Sequence, residues 1–127
     1  MAPPPLVAIV DDDPSVRRAL SRLLSSAGLQ VALFSSAADF LESGMTRSPS
    51  CLVLDIHLGG MSGLELLTRV RASGGNVPAL IITAHDDPQT RELAAKSGCS
   101  AYLRKPFEAS EFLQGIFRMI EWEKSLP

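Results

Sequence analysis

The stretch that decides the fold is AIVDDDPSVRRAL, residues 8–20, in which a short apolar run ends in three consecutive carboxylates. The apolar run begins at residue 6 as LVAIV, and such a run suits a β-strand that is buried on both faces of a parallel sheet. Like charges this close repel one another, so Asp11, Asp12 and Asp13 need a nearby positive charge or separate tasks. Asp13 stands before Pro14, which predicts a helix cap. Asp11 and Asp12 remain to be explained.

Apolar runs and helical patterns alternate along the rest of the chain. Apolar residues recur at helical spacing between 16 and 27, and Gly28 is placed to end that helix. The alternation predicts further strands at 29–34, 51–55, 79–83 and 101–103, and further helices near 37–43, 63–72, 88–97 and 109–123. Local cap signals mark four helix starts: Asp13 before Pro14, Ser36 with Asp39, Ser62 with Glu65, and Asp87 before Pro88. Five strands alternating with five helices predict an α/β domain with a parallel sheet.

Composition limits the classes of protein that fit. A chain of 127 residues with 46% hydrophobic content predicts a single domain over residues 1–127, with an ordered core at about 5–123. The net charge of -2 and the lack of a basic block argue against direct nucleic-acid binding. Cys51 and Cys99 lack metal-ligand spacing and are interpreted as buried, reduced thiols. No apolar stretch has the roughly 20 residues of a membrane helix, and a signal peptide is lacking, so we expect a cytoplasmic protein.

Polar residues stand at the carboxyl ends of the predicted strands. There are five of them: Asp11 and Asp12 after the first strand, Asp55 at the end of the third, Thr83 at the end of the fourth, and Lys105 after the fifth. In an open parallel sheet, ligands bind outside these ends, where the strand order reverses. If the first and third strands are neighbours, as in the order 2-1-3-4-5, the three carboxylates meet in one cleft. Such a cleft needs a cation, and Mg²⁺ suits hard oxygen ligands.

Four stretches carry a resemblance to a known family: IVDDD (9–13), CLVLDIHLGGMSGLELL (51–67), ALIITAHDD (79–87) and AYLRKPF (101–107). In this order and spacing, over nearly the whole chain, the sequence resembles the receiver domain of two-component response regulators. Residues 11–31 and 34–42 are similar to the branch usually joined to a helix-turn-helix output domain, the LuxR/FixJ-like regulators. The resemblance implies a doubly wound, flavodoxin-like (CheY-like) sheet of order 2-1-3-4-5 flanked by five helices.

The resemblance implies that Asp55 is the phosphoacceptor. Its carboxylate would take a phosphoryl group from the phosphohistidine of a sensor histidine kinase and form an acyl phosphate. Asp12, Asp55 and the backbone carbonyl of His57, with Asp11 through water, would hold Mg²⁺. We therefore expect a signalling domain rather than an enzyme, with self-catalysed phosphotransfer and autodephosphorylation as its only reactions.

The family pattern also implies roles for residues on the far side of the cleft. Lys105 would supply a point charge to the phosphoryl oxygens, and Thr83 would offer them its hydroxyl. Tyr102 resembles the aromatic that turns inward when the Thr83 hydroxyl moves toward phosphate, with simple packing as the alternative. Pro106 would follow a cis peptide that aims Lys105 inward.

His57 and His85 fall two positions after Asp55 and Thr83. In receivers these positions flank the mouth of the cleft and influence how long the phosphoryl group survives; plain surface positions are the alternative. Because imidazole titrates near neutrality, we expect the phosphoryl lifetime to depend on pH between roughly 6 and 8. One departure from the family lies in the same loop, where Gly59 stands in place of the usual proline and is expected to loosen the loop.

Phosphorylation is expected to act by shifting a conformational equilibrium. Tyr102 and the helix near 88–97 would repack, and a monomer or weak dimer would associate more strongly. Two arrangements remain open: a receiver whose output domain lies outside this chain, or a single-domain regulator. The principal alternative is a degenerate receiver that serves as a phosphorylation-independent interaction module. A haloacid-dehalogenase-like phosphatase would need a second aspartate at His57, and an FMN carrier would need a phosphate loop where DDDPSV stands.

Overall fold

The computed structural model describes residues 3–46 and 48–124, and side chains as far as Glu121. The strands are β1 (Leu6–Val10), β2 (Gln30–Phe34), β3 (Cys51–Asp55), β4 (Ala79–Thr83) and β5 (Ala101–Arg104). The helices are α1 (Pro14–Ser26), α2 (Ala37–Glu42), α3 (Gly63–Ala72), α4 (Pro88–Lys96) and α5 (Ala109–Lys124). All the predicted elements are confirmed, with ends within about two residues of those expected. The helical spacing of the sequence also predicts that Trp122 lies off the apolar face of the last helix, and its side chain lies outside the described residues.

The five strands form one parallel sheet in the order β2-β1-β3-β4-β5, which confirms the expected topology. Every residue of β3 and β4 is buried, because helices cover both faces of the central strands. The strand order reverses between β1 and β3, which pair directly with Val10 opposite Leu54. The carboxyl ends of these two strands therefore open into the same crevice.

The core consists of one apolar layer on each face of the sheet. Alternate residues of a strand point to opposite faces, so Val10 packs with Phe40 of α2 and Leu66 of α3 on one face. On the other face, Ile9 packs with residues of α1 and α5 such as Phe112. Since each central strand is held from both sides, the ends of β1, β3 and β4 are rigid positions for functional side chains.

Side-chain caps begin four of the helices, as predicted from the sequence. Each cap satisfies a backbone amide that the helix leaves unpaired, and such a cap contributes about 1 kcal/mol. The bonds run from Ser15 N to Asp13 (2.8 Å), from Asp39 N to Ser36 (3.0 Å), from Glu65 N to Ser62 (3.1 Å) and from Thr90 N to Asp87 (2.7 Å). Asp13 is thus committed to starting α1, which separates its task from those of its two neighbours.

Helix α4 is weakly anchored compared with the other helices. Ala94 is its buried residue, while Leu93 is 51% exposed. An element with few buried apolar contacts can shift at a modest cost in free energy. Among the helices that the structure describes, none is long and apolar enough to cross a membrane.

The two cysteines differ in burial. Cys51 lies in β3 and is fully buried, in agreement with the sequence interpretation. Cys99, in the turn before β5, is partly exposed, so the interpretation of a buried thiol is wrong for this residue. Its partial burial still raises the pKa of the Cys99 thiol.

Candidate functional site

Three polar side chains are buried at one edge of the sheet. In the described part of the chain, the buried polar or charged residues are Asp11 (0% exposed), Asp55 (6%) and Thr83 (0%). They follow or end β1, β3 and β4, whose carboxyl ends meet at this edge. Burying carboxylates is costly unless they are paired, so this concentration marks the candidate site.

Lys105 provides the positive charge that the acidic cluster requires. Its Nζ donates to Asp11 Oδ2 at 3.0 Å and to Asp55 Oδ2 at 3.1 Å. The Lys105 backbone is held by β4, since its N–H donates to the Thr83 carbonyl at 2.7 Å. The peptide bond between Lys105 and Pro106 is cis. One ammonium group thus bridges two carboxylates from separate strands.

Burial and pairing act in opposite directions on the ionisable groups. Burial raises the pKa of Asp11 and outweighs the opposing hydrogen bonds from the Asp13 amide and Lys105. Burial lowers the pKa of Lys105, but hydrogen bonds to Asp11 and Asp55 outweigh it, so the Lys105 pKa is raised overall. Lys105 therefore carries its charge at neutral pH, and this charge offsets the cost of burying the carboxylates.

The three carboxylates of the cluster could hold one divalent cation. Asp11, Asp12 and Asp55 each offer an oxygen, and these atoms lie within 4.8 Å of one another. The hard oxygen donors and their proximity therefore fit Mg²⁺. Asp12 is exposed, so the cluster is open to solvent on that side.

Gly59 borders the cluster in a backbone conformation that proline cannot adopt. Its φ is +65°, and a Cβ at this position would lie 3.8 Å from Asp12 Oδ2. Proline fixes φ near −65°, so the loop follows a different path from one with proline at this position. The presence of Gly59 in place of the usual proline therefore corresponds to a different backbone conformation beside the acidic cluster.

Two exposed histidines lie beside the buried residues Thr83 and Asp55. Thr83 Oγ1 accepts a hydrogen bond from His85 N at 3.0 Å and lies 3.4 Å from the His85 carbonyl. His57 N donates to Asp55 Oδ1 at 3.2 Å. Both imidazoles are exposed, and their ring centroids are 4.4 Å apart at an interplanar angle of 72°. The fold thus brings together two side chains that the sequence placed on separate loops.

Tyr102 is tied to a pair of residues that the sequence analysis missed. Its hydroxyl donates to Asp86 Oδ1 at 3.1 Å. Arg91 donates to both oxygens of Asp86, at 2.5 Å and 2.8 Å, and its guanidinium lies 5.6 Å from the centre of the Tyr102 ring. The Arg91 hydrogen bond holds the pKa of Asp86 at about 2. We call Asp86, Arg91 and Tyr102 the tyrosine latch.

Gly63 is a second residue that the sequence analysis missed. A Cβ built on Gly63 would lie 2.2 Å from the Asp55 carbonyl oxygen, and Gly63 N donates to the Ile56 carbonyl at 3.0 Å. The start of α3 thus rests directly on the backbone of the candidate phosphoacceptor. The available signal was a glycine directly after the Ser62 cap, because glycine is a poor helix former.

Comparison with known proteins places the chain in a family. Residues 7–117 match the response regulator receiver domain. The chain is 39% identical over 119 residues to nodulation protein W of Bradyrhizobium diazoefficiens, covering 94% of this chain and 52% of that protein. It is 37% identical over 110 residues to transcriptional regulatory protein FixJ of Azorhizobium caulinodans, and the match covers 87% of this chain and 52% of that protein. The chain thus spans about half the length of these curated relatives.

The structural comparison agrees with the sequence comparison. A response regulator receiver protein from Burkholderia phymatum has a TM-score of 0.81 and 40% identity, and the match covers 92% of this chain and 95% of that one. The match to FixJ also agrees with the expected branch of the family. The fold, the acidic cluster and these relatives together show that the chain belongs to the response regulator receiver domain family.

Proposed function

We propose that Asp55 accepts a phosphoryl group from the phosphohistidine of a sensor histidine kinase. A carboxylate oxygen of Asp55 would form a bond to phosphorus while the bond from phosphorus to the donor imidazole breaks, and the imidazole would take up a proton. The observation that supports this proposal is the convergence of Asp11, Asp12, Asp55 and the Lys105 ammonium at one edge of the sheet.

Mg²⁺ is the proposed cofactor. Asp11, Asp12, Asp55 and the backbone carbonyl of His57 would hold it, with Asp11 acting through water. When bound, Mg²⁺ would reduce the repulsion between the Asp55 carboxylate and an anionic donor, and it would stabilise charge on the transferring group. The hard oxygen donors of the cluster support this choice over a metal that prefers nitrogen or sulfur.

Lys105 and Thr83 would bind the phosphoryl oxygens after transfer. Lys105 already contacts Asp55 Oδ2, so a short movement of its flexible side chain would direct its charge to an adjacent phosphoryl oxygen. The Thr83 oxygen accepts from His85 N, and a hydroxyl can also donate its own proton. Thr83 would therefore donate to the phosphoryl group and draw the loop after β4 with it. His57 and His85 would modulate the lifetime of the phosphoryl group from the mouth of the cleft.

The decisive test compares the native protein with Asp55→Asn. After incubation with Mg²⁺ and acetyl phosphate, intact-mass spectrometry is expected to show one added phosphoryl group on the native chain and none on the variant. Chelation of Mg²⁺ is expected to abolish the addition. Asp13→Asn is the matched control, since asparagine caps a helix as well as aspartate and phosphorylation should persist. An unmodified native chain would instead favour the phosphorylation-independent interaction module.

The tyrosine latch is the proposed route from the site to the surface. Asp86 lies three residues after Thr83, and its side chain is 7% exposed. Movement of Thr83 toward the phosphoryl group would shift the loop after β4 and separate Asp86 from the Tyr102 hydroxyl. Tyr102 and α4 could then repack. The weak anchoring of α4 lowers the cost of this change. The repacked face would support association into a dimer.

Asp86→Asn is expected to shift the equilibrium toward the phosphorylated conformation without phosphate. The substitution removes the charge that holds Arg91 and weakens the acceptor for Tyr102, so dimer association should strengthen by about tenfold. Light scattering with and without beryllofluoride measures this. Glu42→Gln, at an exposed position of α2 rather than α4, is the control and should match the native protein. Unchanged association of Asp86→Asn, with a native response to beryllofluoride, would contradict a role for the latch.

The output is proposed to lie in a domain outside this single receiver domain. Relatives such as FixJ are named as transcriptional regulatory proteins, which favours control of transcription in the cytoplasm. The net charge of -2 favours nucleic-acid contact through another domain rather than through these residues. Phosphorylation and autodephosphorylation would be the reactions of this chain, which makes it a signalling domain and not an enzyme acting on other substrates.

A further inference from the structure

The two histidines at the mouth of the cleft have a geometry that their proposed effect on phosphoryl lifetime does not require. We propose that His57 and His85 together bind one divalent metal ion of intermediate hardness, with Zn²⁺ as the representative. The site is distinct from the carboxylate cluster, and its occupancy does not depend on the proposed phosphorylation. The chain has two histidines in total, and the fold places both at this point.

The ring separation is close to that of two imidazoles on a shared ion. With Zn–N bonds of about 2.0–2.1 Å, about 1.1 Å from nitrogen to ring centre and a tetrahedral angle at the ion, the two ring centroids would be roughly 5.1 Å apart. The observed separation is 4.4 Å, with the rings inclined at 72°. Because both side chains are exposed, their ring torsions can adjust at low cost. Water would complete the coordination.

The backbones that carry the two rings are fixed by buried groups. His57 N donates to Asp55 Oδ1, and His85 N donates to Thr83 Oγ1. Both acceptors belong to buried residues at the ends of adjacent central strands. The two ligands are therefore held near each other before an ion arrives, which reduces the entropy lost on binding.

The donor type separates this site from the proposed Mg²⁺ site. Imidazole nitrogen suits Zn²⁺, Cu²⁺ and Ni²⁺, whereas Mg²⁺ takes oxygen ligands. Excess Mg²⁺ should therefore occupy the carboxylates without displacing an ion from the histidines. The two sites can thus be titrated independently in one solution.

Isothermal titration calorimetry with Zn²⁺ at neutral pH, in excess Mg²⁺, tests the proposal. We expect one ion per native chain, with affinity reduced at least about tenfold in His57→Gln and in His85→Gln. Cys99→Ser is the control and should bind as the native chain does, and Asp12→Asn tests whether the ion lies at the carboxylates instead. Unfolding curves establish that each variant is folded, which the exposed positions favour.

Two results would overturn the proposal. One is a lack of Zn²⁺ binding by the native chain, and the other is native affinity in either histidine variant. Loss of binding in Asp12→Asn alone would assign the ion to the carboxylates and would also contradict it. Since the readout is metal binding, this proposal and the phosphorylation of Asp55 can each fail while the other stands.

Discussion

Lys105→Met is expected to slow phosphorylation of Asp55 by about a hundredfold or more, the usual cost of removing one preorganised charge that stabilises a transition state. Lys105 Nζ lies 3.1 Å from Asp55 Oδ2, so it is already positioned beside the proposed nucleophile. Methionine keeps most of the length of the side chain and removes its charge. The initial rate of acetyl phosphate labelling, followed by intact mass at saturating Mg²⁺, measures the effect.

The same substitution should change stability in a pH-dependent way. Asp11 is fully buried and would lose the cation that offsets its burial, so its pKa would rise further above the ordinary value. A carboxyl group with a raised folded-state pKa favours folding when protonated, and this contribution is lost as pH rises above the unfolded value of about 4. The variant should therefore lose about 2 kcal/mol at pH 7 and less near pH 4, as measured by urea unfolding.

Lys96→Met is the matched control for Lys105→Met. Lys96 lies on α4, its side chain is 71% exposed, and it pairs with Glu92 on the surface. Exposed pairs of this kind contribute little to stability, so both the labelling rate and the unfolding curve should stay near native. A labelling rate for Lys105→Met within threefold of the native rate would contradict the role proposed for Lys105.

Gly63→Ala is expected to destabilise the domain by about 3 kcal/mol, at the upper end of the usual cost of overpacking. The added Cβ would lie 2.2 Å from the Asp55 carbonyl oxygen and 3.3 Å from the Ile56 Cα. Both neighbours are backbone atoms at the end of a buried strand, so the contact cannot be relieved by rotating a side chain. Either α3 or the end of β3 must move. Displacement of Asp55 should also slow phosphorylation, because small errors in position are costly to reaction rates.

Gly60→Ala provides the control from the same loop. A Cβ at Gly60 meets nothing within 4 Å, and its φ lies outside the left-handed region. This substitution should change the free energy of unfolding by less than about 0.5 kcal/mol. Urea unfolding of the two variants beside the native chain gives the comparison. Equal stability of Gly63→Ala and Gly60→Ala would show that the approach of α3 to Asp55 is looser than the structure gives.

The fold was predictable because its signals are local or strongly periodic. The central strands are buried on both faces and so appear in the sequence as unbroken apolar runs. Helix caps act between residues two or three positions apart, as at Asp13 and Ser62. Topology then brings strand ends together, which is why the positions of Asp55 and Lys105 in one cleft could be expected from the sequence.

The missed features depend on tertiary contacts between loops. Tyr102 and Asp86 are 16 positions apart, and their hydrogen bond depends on how the loop after β4 turns over β5. The close approach of Gly63 to Asp55 likewise depends on where the start of α3 packs against the sheet. The positive φ of Gly59 depends on the path of the whole loop. Spacing rules describe one element at a time and cannot give these distances.

The sharing of one ammonium between two strands has a consequence for the order of events in signalling. An ammonium group has three N–H donors, and the structure directs two of them to Asp11 and Asp55. The third can engage an arriving anion before either existing bond is given up. The Lys105 ammonium can therefore exchange its hydrogen bonds from carboxylate to phosphate one at a time. The buried carboxylates of Asp11 and Asp55 then keep a neighbouring positive charge while the domain changes conformation.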